Sequence, residues 1–125
     1  MQDGKNVILC IDDDPDILES LKIVLEANGY EMKAANNAPE GLVMFKEANP
    51  DLIIVDLMME EIDGGTNFVK EVKATGSTVP IYMLSSIGDS MDSTVDGASL
   101  GLSGILQKPI DAKHLLTILK TAISQ

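Results

Sequence analysis

Arginine is missing altogether: all nine basic side chains of this 125-residue chain are lysines, set against 20 acidic ones, for a net charge of −11. The guanidinium fork is the side chain best suited to bidentate phosphate or guanine recognition, so direct binding of nucleic acid is not expected. An acidic surface suits partners with basic patches, but it is first of all what keeps a small domain in solution. Cysteine is nearly absent too. Cys10 is the only one, which excludes an internal disulfide; inside the first apolar run it reads as a small buried residue, in a chain from a reducing cytoplasm. Long apolar runs are lacking as well. Asp56 or turn residues interrupt every stretch before the ~18–20 residues of a bilayer span, and the opening MQDGKN has no signal-peptide pattern, so no membrane role is expected.

What is present is enough apolar material, 45% of the residues, for one domain that buries roughly two thirds of its unfolded surface. Short β-type runs alternate with helical periodicity five times. Val7–Ile11 is a near-continuous apolar run, as a strand buried on both faces should be. Asp14 reads as an N-cap with Pro15 in the first turn; Ile17, Leu21, Val24 and Leu25 recur at helix spacing until Asn28-Gly29 closes the helix. Tyr30–Ala35 is a weaker second strand. Asn37 caps a helix through Glu47, with Pro39 in its first turn and Asn49-Pro50 as its stop. "DLIIVDL" is the third strand. An Asp63-Gly64-Gly65 turn leads into a helix with Phe68, Val69 and Val72, ended by Gly76. "VPIYMLSS" is the fourth strand, and Met91, Val95, Ala98 and Leu102 mark a fourth helix, poor in helix formers. Gly104–Gln107 is a short fifth strand, followed by a last helix with Leu115, Leu119, Ala122 and Ile123.

Such alternation predicts a (βα)5 domain, a parallel sheet between two layers of helices, with right-handed crossovers that bring every strand's carboxyl end to one edge. Ligands of such folds bind at that edge, where the strand order reverses. Asp12 and Asp13 follow the first strand, Asp56 ends the third, Ser85 and Ser86 follow the fourth, and Lys108 follows the fifth. Two unit charges about 4 Å apart repel by roughly 4 kcal/mol at an effective dielectric of 20, a large fraction of a typical folding stability of about 5–15 kcal/mol. A bound cation and Lys108 would offset that cost. An all-oxygen donor set selects a hard ion, and so few protein ligands suit Mg²⁺, which keeps several waters, better than Ca²⁺, which takes about six to eight oxygens. Asp14 and Asp16 read instead as a cap and a first-turn charge.

These residues carry a resemblance. "VILCIDDDP", "PDLIIVDLMMEEIDG", "IYMLSS" and "GILQKP", in this order and at these separations, resemble the receiver domain of two-component response regulators over essentially the whole chain. The resemblance implies a flavodoxin-like, doubly wound sheet of five parallel strands in the order 2-1-3-4-5. It also implies that Asp56 is the phosphoacceptor, taking a phosphoryl group from a histidine kinase or histidine phosphotransfer protein. Mg²⁺, with Mn²⁺ as an alternative, would be held by Asp13 and Asp56 directly, by Asp12 through water and by the Met58 carbonyl. Ser85, the Ser86 amide and Lys108 would receive the phosphoryl oxygens, with Lys108 aimed by a cis bond to Pro109. Such a domain is no conventional enzyme but catalyses its own aspartyl phosphorylation and dephosphorylation. Met58 and Ile87 cannot orient a water by hydrogen bond, so a slow loss of phosphate is expected.

The sequence also departs from the family pattern. Ile105 stands where the family often has an aromatic residue, Tyr82 is not at the matching place, and Glu60 replaces a common proline. The stretch from Ser85 to Lys108 is about one residue longer than usual. His114 reads as a surface or packing residue. Residues 1–125 read as one receiver domain with no effector domain, either stand-alone or excised from a longer protein, signalling through contacts with an output protein. Three rival readings share parts of this pattern. Asp12-x-Asp14 resembles the nucleophile and acid of haloacid dehalogenase-type phosphatases, but Asp16 stands where Thr or Val belongs. Alternating Asp12, Asp14 and Asp16 suggest a calcium loop, which fails at Ile17 and Ile23. A degenerate receiver serving as a docking module is the third.

Overall fold

The computed structural model describes residues 6–56, 64–85, 104–107 and 111–123. Five strands form one parallel sheet: β1 (Val7–Ile11), β2 (Glu31–Ala35), β3 (Leu52–Asp56), β4 (Ile81–Ser85) and β5 (Gly104–Gln107), in the order β2-β1-β3-β4-β5. This is the flavodoxin-like doubly wound arrangement, whose order reverses between β1 and β3. Helices α1 (Pro15–Ala27), α2 (Ala38–Ala48), α3 (Gly64–Ala74) and the C-terminal α4 (Ala112–Ala122) pack on its faces. The helix expected around Met91–Leu102 lies outside the described residues.

The period of two along β1 divides the core. Ile8 and Cys10 face one layer with Leu21 and Leu25 of α1 and Leu115 and Leu119 of α4; Leu9 and Ile11 face the other with Phe68, Val69 and Val72 of α3. Both faces of β1 and β3 are therefore covered, and all ten of their residues are buried. Such strands need near-continuous apolar runs, as the sequence shows.

Local signals set the helix ends. Asn37 accepts the Glu40 N–H at 2.8 Å, while the Glu40 carboxylate accepts the Asn36 N–H at 3.1 Å, so two donors at the start of α2 are satisfied within four residues. Asn37→Ala is expected to cost about 1 kcal/mol of stability, read as a lower urea midpoint at unchanged slope. At the end of α1, Gly29 adopts a left-handed φ of +89°; its N–H reaches the Glu26 carbonyl and the Tyr30 N–H the Leu25 carbonyl. That double bond closes the helix, and few residues but glycine adopt such a φ. Helix α3 starts earlier than the sequence suggests, with Gly64 and Gly65 in its first turn rather than in a preceding turn. First-turn N–H groups need no intrahelical partner, so glycine is tolerated there.

Asp51, read only as the start of the third strand, closes the sheet below the site. Its carboxylate accepts the Val7 N–H at 2.8 Å, and its own N–H donates to the Val7 carbonyl at 2.8 Å. Two bonds across 44 residues fix the start of β1 against β3, and with it the level at which both strands end.

Candidate functional site

The site is assembled at the carboxyl ends of β1 and β3, on the two sides of the order reversal. Asp12 follows β1 directly; its N–H donates to the Ala35 carbonyl at the end of β2, at 3.1 Å. Asp56 is the last residue of β3, and the register pairs Ile11 with Val55, which brings Asp56 level with Asp12. Asp12 is fully buried and Asp56 only 4% exposed, whereas Asp13 is exposed. One carboxylate oxygen from each of the three lies within 4.8 Å of the other two. The predicted acidic group is thus brought together from two separate strands.

Three negative charges at this spacing are mutually repulsive by roughly 3–4 kcal/mol per pair at an effective dielectric of 20. An all-carboxylate set this compact could hold a metal ion, and its oxygen-only chemistry matches a hard divalent cation rather than one that seeks nitrogen or sulfur. The cysteine nearest in sequence offers no ligand. Cys10 is fully buried; burial, and then the charge of Asp12, push its thiol well above the ordinary value of 9.0. A neutral thiol there contributes stability that is complete below pH 9 and is lost as the pH rises beyond it. In the folded chain at pH 8, Cys10 is expected to resist alkylation, becoming reactive only in denaturant, as intact mass would show.

Asp14 takes a different part. Its side chain accepts the Asp16 N–H at 2.9 Å and caps α1, as its position before Pro15 suggests. Its own N–H donates to Asp12 Oδ1 at 2.9 Å. This bond closes an Asx turn over two residues, in which Asp12 supplies the side chain and residue 14 only its backbone N–H. The Asp14 carboxylate caps the helix and is not one of the three clustered carboxylates, an arrangement that does not favour the phosphatase reading. The sequence signal for that turn is Asp12 itself, a side chain that readily accepts the N–H two residues on.

Ser85 is the last residue of β4, paired in register with Gln107 of β5, so its backbone reaches the same edge. Met58, Ser86 and Lys108 lie outside the described residues. Ile105 is 40% exposed on β5, opposite Met83 in the register, and His114 is exposed on α4. Among the described residues, no helix is long and apolar enough to cross a membrane.

A doubly wound sheet carrying clustered carboxylates at its switch point defines a class of α/β domains whose ligands bind at that edge. Within that class the chain belongs to the response regulator receiver domain family, whose model matches residues 8–120. It is 34% identical over 116 residues to the response regulator MprA of Mycobacterium leprae, a match that covers 93% of this chain and 50% of that protein. The chain thus spans about half the length of the curated relatives it matches. Among solved structures it is similar to the chemotaxis response regulator CheY4 of Vibrio cholerae, with TM-score 0.83 and 30% identity over 96% of this chain and all of that one. A response regulator receiver domain protein of Clostridium thermocellum superposes with TM-score 0.85 and 31% identity, over 94% of each chain.

Proposed function

We propose that this receiver domain accepts a phosphoryl group on Asp56, in a Mg²⁺-dependent reaction, from a histidine kinase or histidine phosphotransfer protein, and passes the signal on through protein contacts in the cytoplasm. The observation that carries this reading is the placement of Asp56: a nearly buried carboxylate at the end of β3, within 4.8 Å of Asp12 and Asp13. Family membership supports it.

In this reading a carboxylate oxygen of Asp56 attacks the phosphorus of a phosphohistidine. The phosphorus–nitrogen bond breaks, the imidazole nitrogen takes up a proton, and an acyl phosphate remains on Asp56. Asp12, Asp13, Asp56 and the Met58 carbonyl would hold Mg²⁺, or Mn²⁺ in its place. When bound, the ion supplies charge neutralisation for the crowded oxygens and orientation for the incoming group. The Ser85 hydroxyl, the Ser86 amide and the Lys108 ammonium would receive the phosphoryl oxygens. In-line transfer needs positioning and charge stabilisation more than covalent assistance, and these groups would meet that need.

The test is incubation of the chain with acetyl phosphate and Mg²⁺, followed by intact mass and peptide mapping. One phosphoryl group per chain, on Asp56, lost when the metal is chelated, is the expected result. A chain that binds Mg²⁺ yet stays unmodified would point instead to a docking module that works without phosphorylation.

A further inference from the structure

Asp13 is exposed, and exposed carboxylates rotate freely, yet it lies between two residues that do not. Asp12 is fixed twice, by its N–H on the Ala35 carbonyl and by its Oδ1 on the Asp14 N–H. Asp14 is fixed from the other side: its Oδ1 holds the Asp16 N–H at 2.9 Å, and its carbonyl accepts the Leu18 N–H, the first bond of α1. Its backbone is extended, φ −96° and ψ 110°, the region to which Pro15 restricts the residue before it. The chain of bonds thus runs from the helix, through Asp14, to the Asp12 carboxylate.

We propose that Asp14 is a positioning residue of the acidic site. By capping α1 with its side chain it fixes its own N–H on Asp12 Oδ1, and so orients the Asp12-Asp13 pair toward Asp56. This rests on the reading that the three carboxylates hold Mg²⁺. Asp14 itself is exposed and is not one of the three clustered carboxylates. Its contribution is geometric: asparagine, which caps as well and carries no charge, performs it equally. Removing the side-chain acceptor frees the turn, spreads the Asp12 and Asp13 oxygens over more orientations and lowers the fraction of chains ready to bind.

The experiment is a calorimetric titration of the full chain with MgCl₂, without phosphodonor, at 0.15 M salt, where the Debye length is about 8 Å. Wild type is compared with Asp14→Asn, Asp14→Gly and Asp14→Ala. Glycine is the informative change, because at an N-cap it leaves helix stability nearly unaltered while deleting the acceptor. The expected result is an Mg²⁺ affinity within twofold of wild type for Asp14→Asn and at least fivefold weaker for Asp14→Gly, with thermal midpoints of the two close together. Asp14→Ala is expected to weaken binding like glycine; should it not fold, the asparagine and glycine variants carry the comparison. Equal affinity of wild type and Asp14→Gly would overturn the proposal. So would an Asp14→Asn variant as weak as the glycine one, which would assign the effect to charge. Wild type that binds no Mg²⁺ at all would remove the site itself, and the proposal with it.

Discussion

Asp56→Asn is expected to take up no phosphoryl group from acetyl phosphate and Mg²⁺ under conditions that convert the wild-type chain to a single adduct. The substitution keeps the shape of a residue only 4% exposed at the end of β3. What it removes is the anionic oxygen that attacks phosphorus, and a neutral amide oxygen is too weak a nucleophile to replace it. Intact mass distinguishes the two chains directly. An adduct on the Asp56→Asn chain in wild-type yield would place the nucleophile elsewhere. The same variant removes one of the three carboxylates grouped within 4.8 Å, and with it part of the charge that attracts a divalent ion. Added Mg²⁺ should raise the thermal midpoint of the wild type by mass action and that of the variant by less.

Phe68→Ala is expected to produce the largest loss of stability, about 3–5 kcal/mol. Phe68 is fully buried and heads the fully buried side chains by volume, packed with Leu9, Ile11, Val55 and Met83 between the sheet and its helices. The ring also meets α2 at Gly41, where a Cβ would stand 3.3 Å from Phe68 Cε1 and 2.6 Å from Ile11 Cδ1. Glycine at 41 therefore lets the helix approach the sheet that the ring supports. With so little free space around it, the cavity left by alanine cannot readily collapse. Against a typical stability of about 5–15 kcal/mol the change is large, and the thermal midpoint should fall by roughly 10–20 °C. Urea unfolding at constant slope checks it; a loss below about 1 kcal/mol would show that the two layers do not depend on this ring. Well below the midpoint the folded Phe68→Ala chain should still bind Mg²⁺ within twofold of wild type, because the carboxylates are held by β1 and β3.

Much of the site was legible in the sequence because its parts are announced locally. A strand that ends in Asp56, a strand followed by Asp12 and Asp13, and the alternation that makes the sheet parallel suffice to bring all three to one edge. The caps at Asp14 and Asn37 are readable for the same reason, since each acts on an N–H two or three residues away. The Asp111 cap of α4, which accepts the Lys113 N–H at 3.0 Å, has that pattern too, although no apolar periodicity marks the residues just before it.

The sequence by itself determined the alternation of strands and helices among the described residues, the ends of α1 and α2 and the edge to which the acidic residues are led. All of these follow from interactions between residues a few positions apart, where spacing is geometry. Only the tertiary structure decided that Asp12 is buried while its neighbour Asp13 is exposed, and that Asp51 closes the start of β1 from 44 residues away. Only it set three carboxylate oxygens within 4.8 Å of one another. Those outcomes depend on which strands lie side by side and at what level they end. Periodicity records which way a side chain faces, but not which residue it will face.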